Sequence, residues 1–124
     1  MGGRGGSSFN RWYKNETPTE RESRFNRLTY GSKLSEEKKS NLINKMAKDP
    51  GYLNKKGSEI IDKIQSIYGK YATSDTGYIT VGDKQDAKEA LADMKKRGAK
   101  YGVLQDSSLT YNRHTREWEI YHGW

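Results

Sequence analysis

A chain of 124 residues without cysteine excludes disulfide scaffolds, thiolate metal sites and a cysteine nucleophile, and no apolar run approaches the ~18 residues of a membrane-spanning helix. Only eighteen residues are Leu, Ile, Val or Phe, below the ~20% at which a charged chain starts to look disordered, so the core is expected to be small; fifteen of them lie between Leu34 and Ile120. The net charge of +7 divides into +4 over residues 1–33, +3 over 34–72 and zero over 73–124. A basic half joined to a neutral half suits an anionic partner such as nucleic acid, with a simple solubility surplus as the plain alternative.

Residues 1–16 show no hydrophobic period, and four glycines and two serines in the first eight positions predict a flexible arm. Arg4 is followed by no apolar stretch, so the start is not a secretory signal, and together with the absence of cysteine this points to the cytoplasm. A single domain is expected over 17–124, helical to 72 and β-α-β-β beyond.

Thr17-Pro18-Thr19-Glu20 supplies an N-cap hydroxyl, Pro at N1 and Glu at N3, which predicts a helix from about Pro18 to Thr29. Ser35 with Glu36 and Glu37 predicts a second helix, with Leu42, Ile43, Met46 and Ala47 as its apolar stripe and Asp49-Pro50-Gly51 as its stop. Ile60, Ile61, Ile64, Ile67, Tyr68 and Tyr71 predict a third helix at 3.6-residue periodicity, capped by Ser58 or Asn54.

The second half changes character. Gly77–Val81 reads as a short strand. Asp83 caps a helix carrying Ala87, Ala90, Leu91 and Met94 on one face, with Gly98 at its end. Tyr101–Leu104 is a further strand candidate. Leu109-Thr110-Tyr111 and Trp118-Glu119-Ile120 alternate around a polar turn, and centring that turn on His114-Thr115 pairs Tyr111 with Trp118 and Leu109 with Ile120. The expected fold class is α+β: N-terminal helices followed by a β-α-β-β unit with a small, mostly antiparallel sheet.

The N-terminal third interleaves cations and aromatic rings. Arg4, Arg11, Lys14, Arg21, Arg24 and Arg27 alternate with Phe9, Trp12, Tyr13, Phe25 and Tyr30, a mixture suited to phosphate pairing and base stacking. The plain alternative is that Trp12 and Tyr13 dock on the protein's own core. Both histidines lie near the C-terminal hairpin. Eight residues of strand at ~3.3 Å each hold His114 and His122 about 26 Å apart, too far for one acid–base pair. A site built on His114 alone, with Arg113, Arg116 and Glu117, remains as the ribonuclease-like alternative. Arg113 and Arg116 face each other across the turn, which favours an anion between them. The carboxylates and histidines match no zinc or calcium spacing, and the glycine-rich start lacks the Lys-Ser/Thr of a phosphate loop, so no metal and no cofactor are expected.

The opening Met1-Gly2-Gly3-Arg4-Gly5-Gly6-Ser7-Ser8 resembles the N-terminus of small phage- and prophage-encoded proteins. That resemblance covers eight residues and implies an accessory protein: a packaging or virion-assembly factor, a toxin, or an anti-CRISPR-like inhibitor of a host defence nuclease. The residues favour binding over catalysis. The expected partner is nucleic acid or a host nucleoprotein complex, not a membrane, engaged through Arg4, Arg11, Trp12, Tyr13, Lys14, Arg21, Arg24, Arg27, Arg113 and Arg116.

Overall fold

The structure is a computed structural model that describes residues 13–69 and 78–122. Four helices and a three-stranded antiparallel sheet follow in the order α1 (Pro18–Leu28), α2 (Glu36–Lys48), α3 (Tyr52–Tyr68), β1 (Tyr78–Gly82), α4 (Lys84–Ala99), β2 (Ser108–Asn112) and β3 (Glu117–Tyr121). This is the α+β class expected from the sequence.

Local chemistry sets most helix starts. The Thr17 hydroxyl accepts from the Glu20 amide while the Glu20 carboxylate accepts from the Thr17 amide, closing the capping box. Ser35 and Asp83 cap α2 and α4 in the same way, by accepting from Lys38 and Asp86 amides. The third cap differs from expectation. α3 begins at Tyr52, upstream of both Asn54 and Ser58, and its N-cap Gly51 offers no side chain. The turn at Asp49–Gly51 leads directly into the helix, with Tyr52 N–H donating to the Asp49 carbonyl.

One core joins the two halves of the chain. Phe25 and Leu28 of α1, Met46 of α2 and Ile60, Ile61 and Ile64 of α3 belong to the same buried cluster as Ile79, Met94 and Ile120. α3 packs along α4, and α4 covers one face of the sheet. Ile67, read as part of the α3 core face, is instead half exposed because the apolar cluster ends at Ile64 and Tyr68; Tyr71 lies outside the described residues.

The sheet order is β1-β3-β2, with the last strand central. β2 and β3 pair Tyr111 with Trp118 and Leu109 with Ile120, the register derived from the sequence. The loop is four residues, Arg113–Arg116, rather than a tight two-residue turn. Asn112 Oδ1 accepts from the His114 and Thr115 amides, and Arg116 takes a left-handed φ of 59°.

Tyr101–Leu104 is a turn and not a strand. Gly102 and Leu104 have φ of 73° and 63°, outside the extended region. The φ of Gly102 is one that L side chains rarely adopt, and a Cβ there would also displace the end of the Leu34 side chain, 2.5 Å away, so glycine suits this turn. Gly98 lies inside the last turn of α4, where the Val103 carbonyl approaches too closely for any side chain.

Candidate functional site

The predicted cation–aromatic surface separates into groups with different fates. Arg24 is an internal residue, 2% exposed. Its Nε and Nη2 donate to the two carboxylate oxygens of Glu16 at 2.7 and 2.8 Å, Nη1 donates to Asn54 Oδ1 at 2.8 Å, and Nη2 also donates to the Pro50 carbonyl at 2.8 Å. The Tyr13 ring covers the guanidinium 3.7 Å from its centroid. Such saturation leaves Arg24 unable to serve a phosphate, which corrects its assignment to the binding surface. It also ties Tyr13 and Glu16, read above as the end of the arm, onto the junction of α1 and α3.

The remaining predicted residues are scattered. Lys14 and Arg27 are exposed, and Arg21 is half-buried with its Nε lacking a partner. The groove beside them is also lined by Glu16 and Glu20, which dilutes its positive charge. Arg113 and Arg116 are exposed at the hairpin tip. Arg4, Arg11 and Trp12 lie outside the described residues.

A second cation–aromatic constellation was not foreseen. Tyr52, at the start of α3, meets Tyr101, after α4, in an edge-to-face pair with centroids 6.2 Å apart. Lys45 stands 5.2 Å from the Tyr52 centroid, Lys56 5.6 Å from both rings, and Lys100 5.7 Å from Tyr101. Lys38, Asn41, Lys45, Tyr52, Lys100 and Tyr101 border a groove of about 510 Å³ that has no acidic lining residue among the described residues. Lys56 is partly offset by Glu59 at 3.7 Å, and the neighbouring Lys55 is paired with Asp49 at 2.5 Å. Lys38, Lys45 and Lys100 are exposed and have no carboxylate partner among the described residues. The cation–ring contacts are worth roughly 0.5–1 kcal/mol each at such exposure. They gather Lys45 and Lys56 at one ring and Lys56 and Lys100 at the other, an arrangement of like charges that a bound polyanion relieves.

No protein-family model matches the chain, and no curated protein or solved structure matches it.

Lys38, Lys45 and Asn41 share a face of α2, a signal visible in the sequence. Their union with Tyr101 and Lys100 was not visible, because 49 positions separate the two tyrosines and the half that supplies Tyr101 has no net charge. That half contributes Lys100 and Tyr101 to the groove as well as acting as scaffold.

The sheet face away from α4 forms another open groove, of about 690 Å³, bordered by Tyr78, Thr80, Asn112, Arg113, His114 and Glu119. Glu119 Oε2 accepts from Asn112 Nδ2 at 3.1 Å and from the Thr80 hydroxyl at 3.4 Å. The acid that shares this groove with His114 is Glu119, where sequence reasoning had offered Glu117. His122 lies past the other end of β3 and is 7% exposed; burial lowers its pKa, and both ring nitrogens lack a hydrogen-bond partner. Each such omission costs about 1–3 kcal/mol when nothing satisfies the atom. Among the described residues no cluster of His, Asp and Glu has the makings of a metal site, and no helix is long and apolar enough to cross a membrane.

Proposed function

We propose that this protein binds single-stranded nucleic acid, free or displayed by a nucleoprotein complex, through the Lys38–Lys45–Lys100 groove and its two tyrosines. The observation that carries the reading is three lysines without a carboxylate partner on one groove, two of them against its tyrosine rings. Phosphates take the place of missing counter-ions, and bases stack on rings without regard to sequence. The test is fluorescence anisotropy with a labelled single-stranded oligonucleotide across a salt series. Three phosphate contacts give a slope of log affinity against log salt of about −2, at ~0.7 per contact. Replacing Lys38, Lys45 and Lys100 by Ala flattens that slope, and salt-independent binding by the wild type discards the reading. The arm is tested by removing residues 1–12. A cut at residue 16 deletes Glu16, leaves the buried Arg24 without its carboxylate and confuses a folding defect with a binding defect.

The biological setting proposed is that of a phage-type accessory protein acting in a bacterial cytoplasm, with anti-CRISPR-like inhibition of a defence nuclease among its roles. It is supported by the opening octapeptide. Restoration of phage infection in a host carrying such a nuclease is the expected result.

A second reading is favoured by the groove shared by Arg113, His114 and Glu119: metal-independent RNA cleavage. The Glu119 carboxylate takes the 2′-hydroxyl proton as that oxygen bonds to phosphorus, the P–O5′ bond breaks with the protonated His114 ring giving its proton to the leaving oxygen, a 2′,3′-cyclic phosphate results, and Arg113 neutralises the phosphate charge. His114→Ala and Glu119→Gln then each abolish RNA cleavage, whereas RNA left intact by the wild type removes this reading.

A further inference from the structure

The cavity between the end of α1 and the Leu104–Asp106 turn is not used by either reading. It measures about 210 Å³, with Leu28 and Leu104 as apolar wall and Arg27, Tyr30, Asp106 and His122 as its polar and aromatic lining. Three features set it apart. His122 is 93% buried, yet neither ring nitrogen has a hydrogen-bond partner. Arg27 and Asp106, opposite charges on one cavity, are paired neither with each other nor with any other described residue. Tyr30 holds its ring in solvent at 67% exposure. Arg27, Tyr30 and Asp106 are exposed and served by water, so the buried His122 is what singles out the cavity: buried polar groups are nearly always satisfied, and a ring left without partners at a cavity wall suits a ligand that supplies them.

We propose that this cavity receives one unpaired guanine base of the bound strand. The inference rests on the nucleic-acid reading and adds a sequence preference to it. Guanine presents the two acceptors O6 and N7 to a guanidinium and the donors N1–H and N2–H to a carboxylate, the complement of Arg27 and Asp106. Unpaired bases are read in this way, on an edge by hydrogen bonds and on a face by an aromatic ring, here Tyr30. The His122 imidazole, kept neutral by burial, offers one donor and one acceptor to the enclosed part of the ring. Adenine lacks the N1–H that a carboxylate accepts, and pyrimidines offer no N7. The cavity is also close to the lysine groove: Tyr101 and Leu104 are three residues apart, at most about 11 Å of chain.

The experiment uses the full chain and oligouridylates carrying a single central guanine, a single central adenine or neither. The guanine-containing strand is expected to bind about tenfold tighter than the other two. Asp106→Ala removes that preference and leaves the salt slope intact, while the Lys38, Lys45 and Lys100 variant flattens the slope and keeps the preference. Equal affinity for all three strands with a normal salt slope overturns the guanine site and leaves nucleic-acid binding standing. If no strand binds in a salt-dependent way, guanosine and adenosine monophosphates are titrated while the His122 imidazole is followed by NMR. A response to the guanosine nucleotide alone supports the site without the strand; equal responses, or none, overturn it.

Discussion

Arg24 and Lys45 occupy similar chemical settings with opposite outcomes. Each cation lies over a tyrosine ring, 3.7 Å from Tyr13 in one case and 5.2 Å from Tyr52 in the other. Arg24 is enclosed, with a bidentate carboxylate, an amide and a carbonyl on its donors. Lys45 is exposed, its nearest polar contact being the Tyr52 hydroxyl at 3.5 Å. Residue type and aromatic neighbours do not distinguish a structural cation from an available one. The count of satisfied donors does, and it places the available charge on α2 and after α4 rather than on the α1 arginine with the most contacts.

The contrast can be broken from either side. The largest effect is expected for Arg24→Ala, which leaves the Glu16 carboxylate buried without its cation and costs roughly 3–5 kcal/mol in urea unfolding. Lys45→Ala, measured in the same way, changes stability by no more than about 0.5 kcal/mol. The order reverses for binding. Tyr101→Leu keeps apolar bulk but removes a stacking surface, and is expected to weaken oligonucleotide binding by about 1–3 kcal/mol. Thr17→Ala opens the capping box beside Arg24 and costs about 1 kcal/mol of stability without altering the salt slope of binding.

A smaller, pH-dependent effect concerns His122. Burial lowers its folded-state pKa below the usual ~6.5, so the unfolded chain binds the proton more readily. Its stabilising contribution is complete above pH ~6.5 and is lost as the pH falls through that value toward the lowered pKa. Arg27 and Asp106, charges of opposite sign, border the same cavity. Thermal melts of the wild type should show this loss between neutral and mildly acidic pH, and His122→Gln should reduce it.

What was legible in the sequence was local. Thr17 with Glu20, Ser35, and Asp83 announced three helix starts because a cap and its amide lie within three residues. The hairpin register followed from alternation, since a slip by one residue would turn Leu109 and Ile120 to solvent. What escaped was set by contacts across the fold. Asn54 looked like a cap but accepts from Arg24, thirty positions earlier. Tyr101–Leu104 has β-forming side chains, yet Gly98 and Val103 approach so closely that the chain must turn. The lysine groove draws on α2, α3 and the turn after α4, and no window of sequence contains all three.

The position of β3 in the middle of the sheet has a consequence for biosynthesis. Neither β1 nor β2 has a neighbour to pair with until Glu117–Tyr121 has been made. At ~5–20 residues per second, the interval between completing α3 at Tyr68 and reaching Tyr121 lasts roughly 3–10 s. During that interval Ile60, Ile61 and Ile64 await the partners supplied by α4 and the sheet, while the lysines of α2 and α3 are already present. The early chain is thus a charged helical segment with an uncovered isoleucine face, and its like charges oppose association with other copies while that face is open.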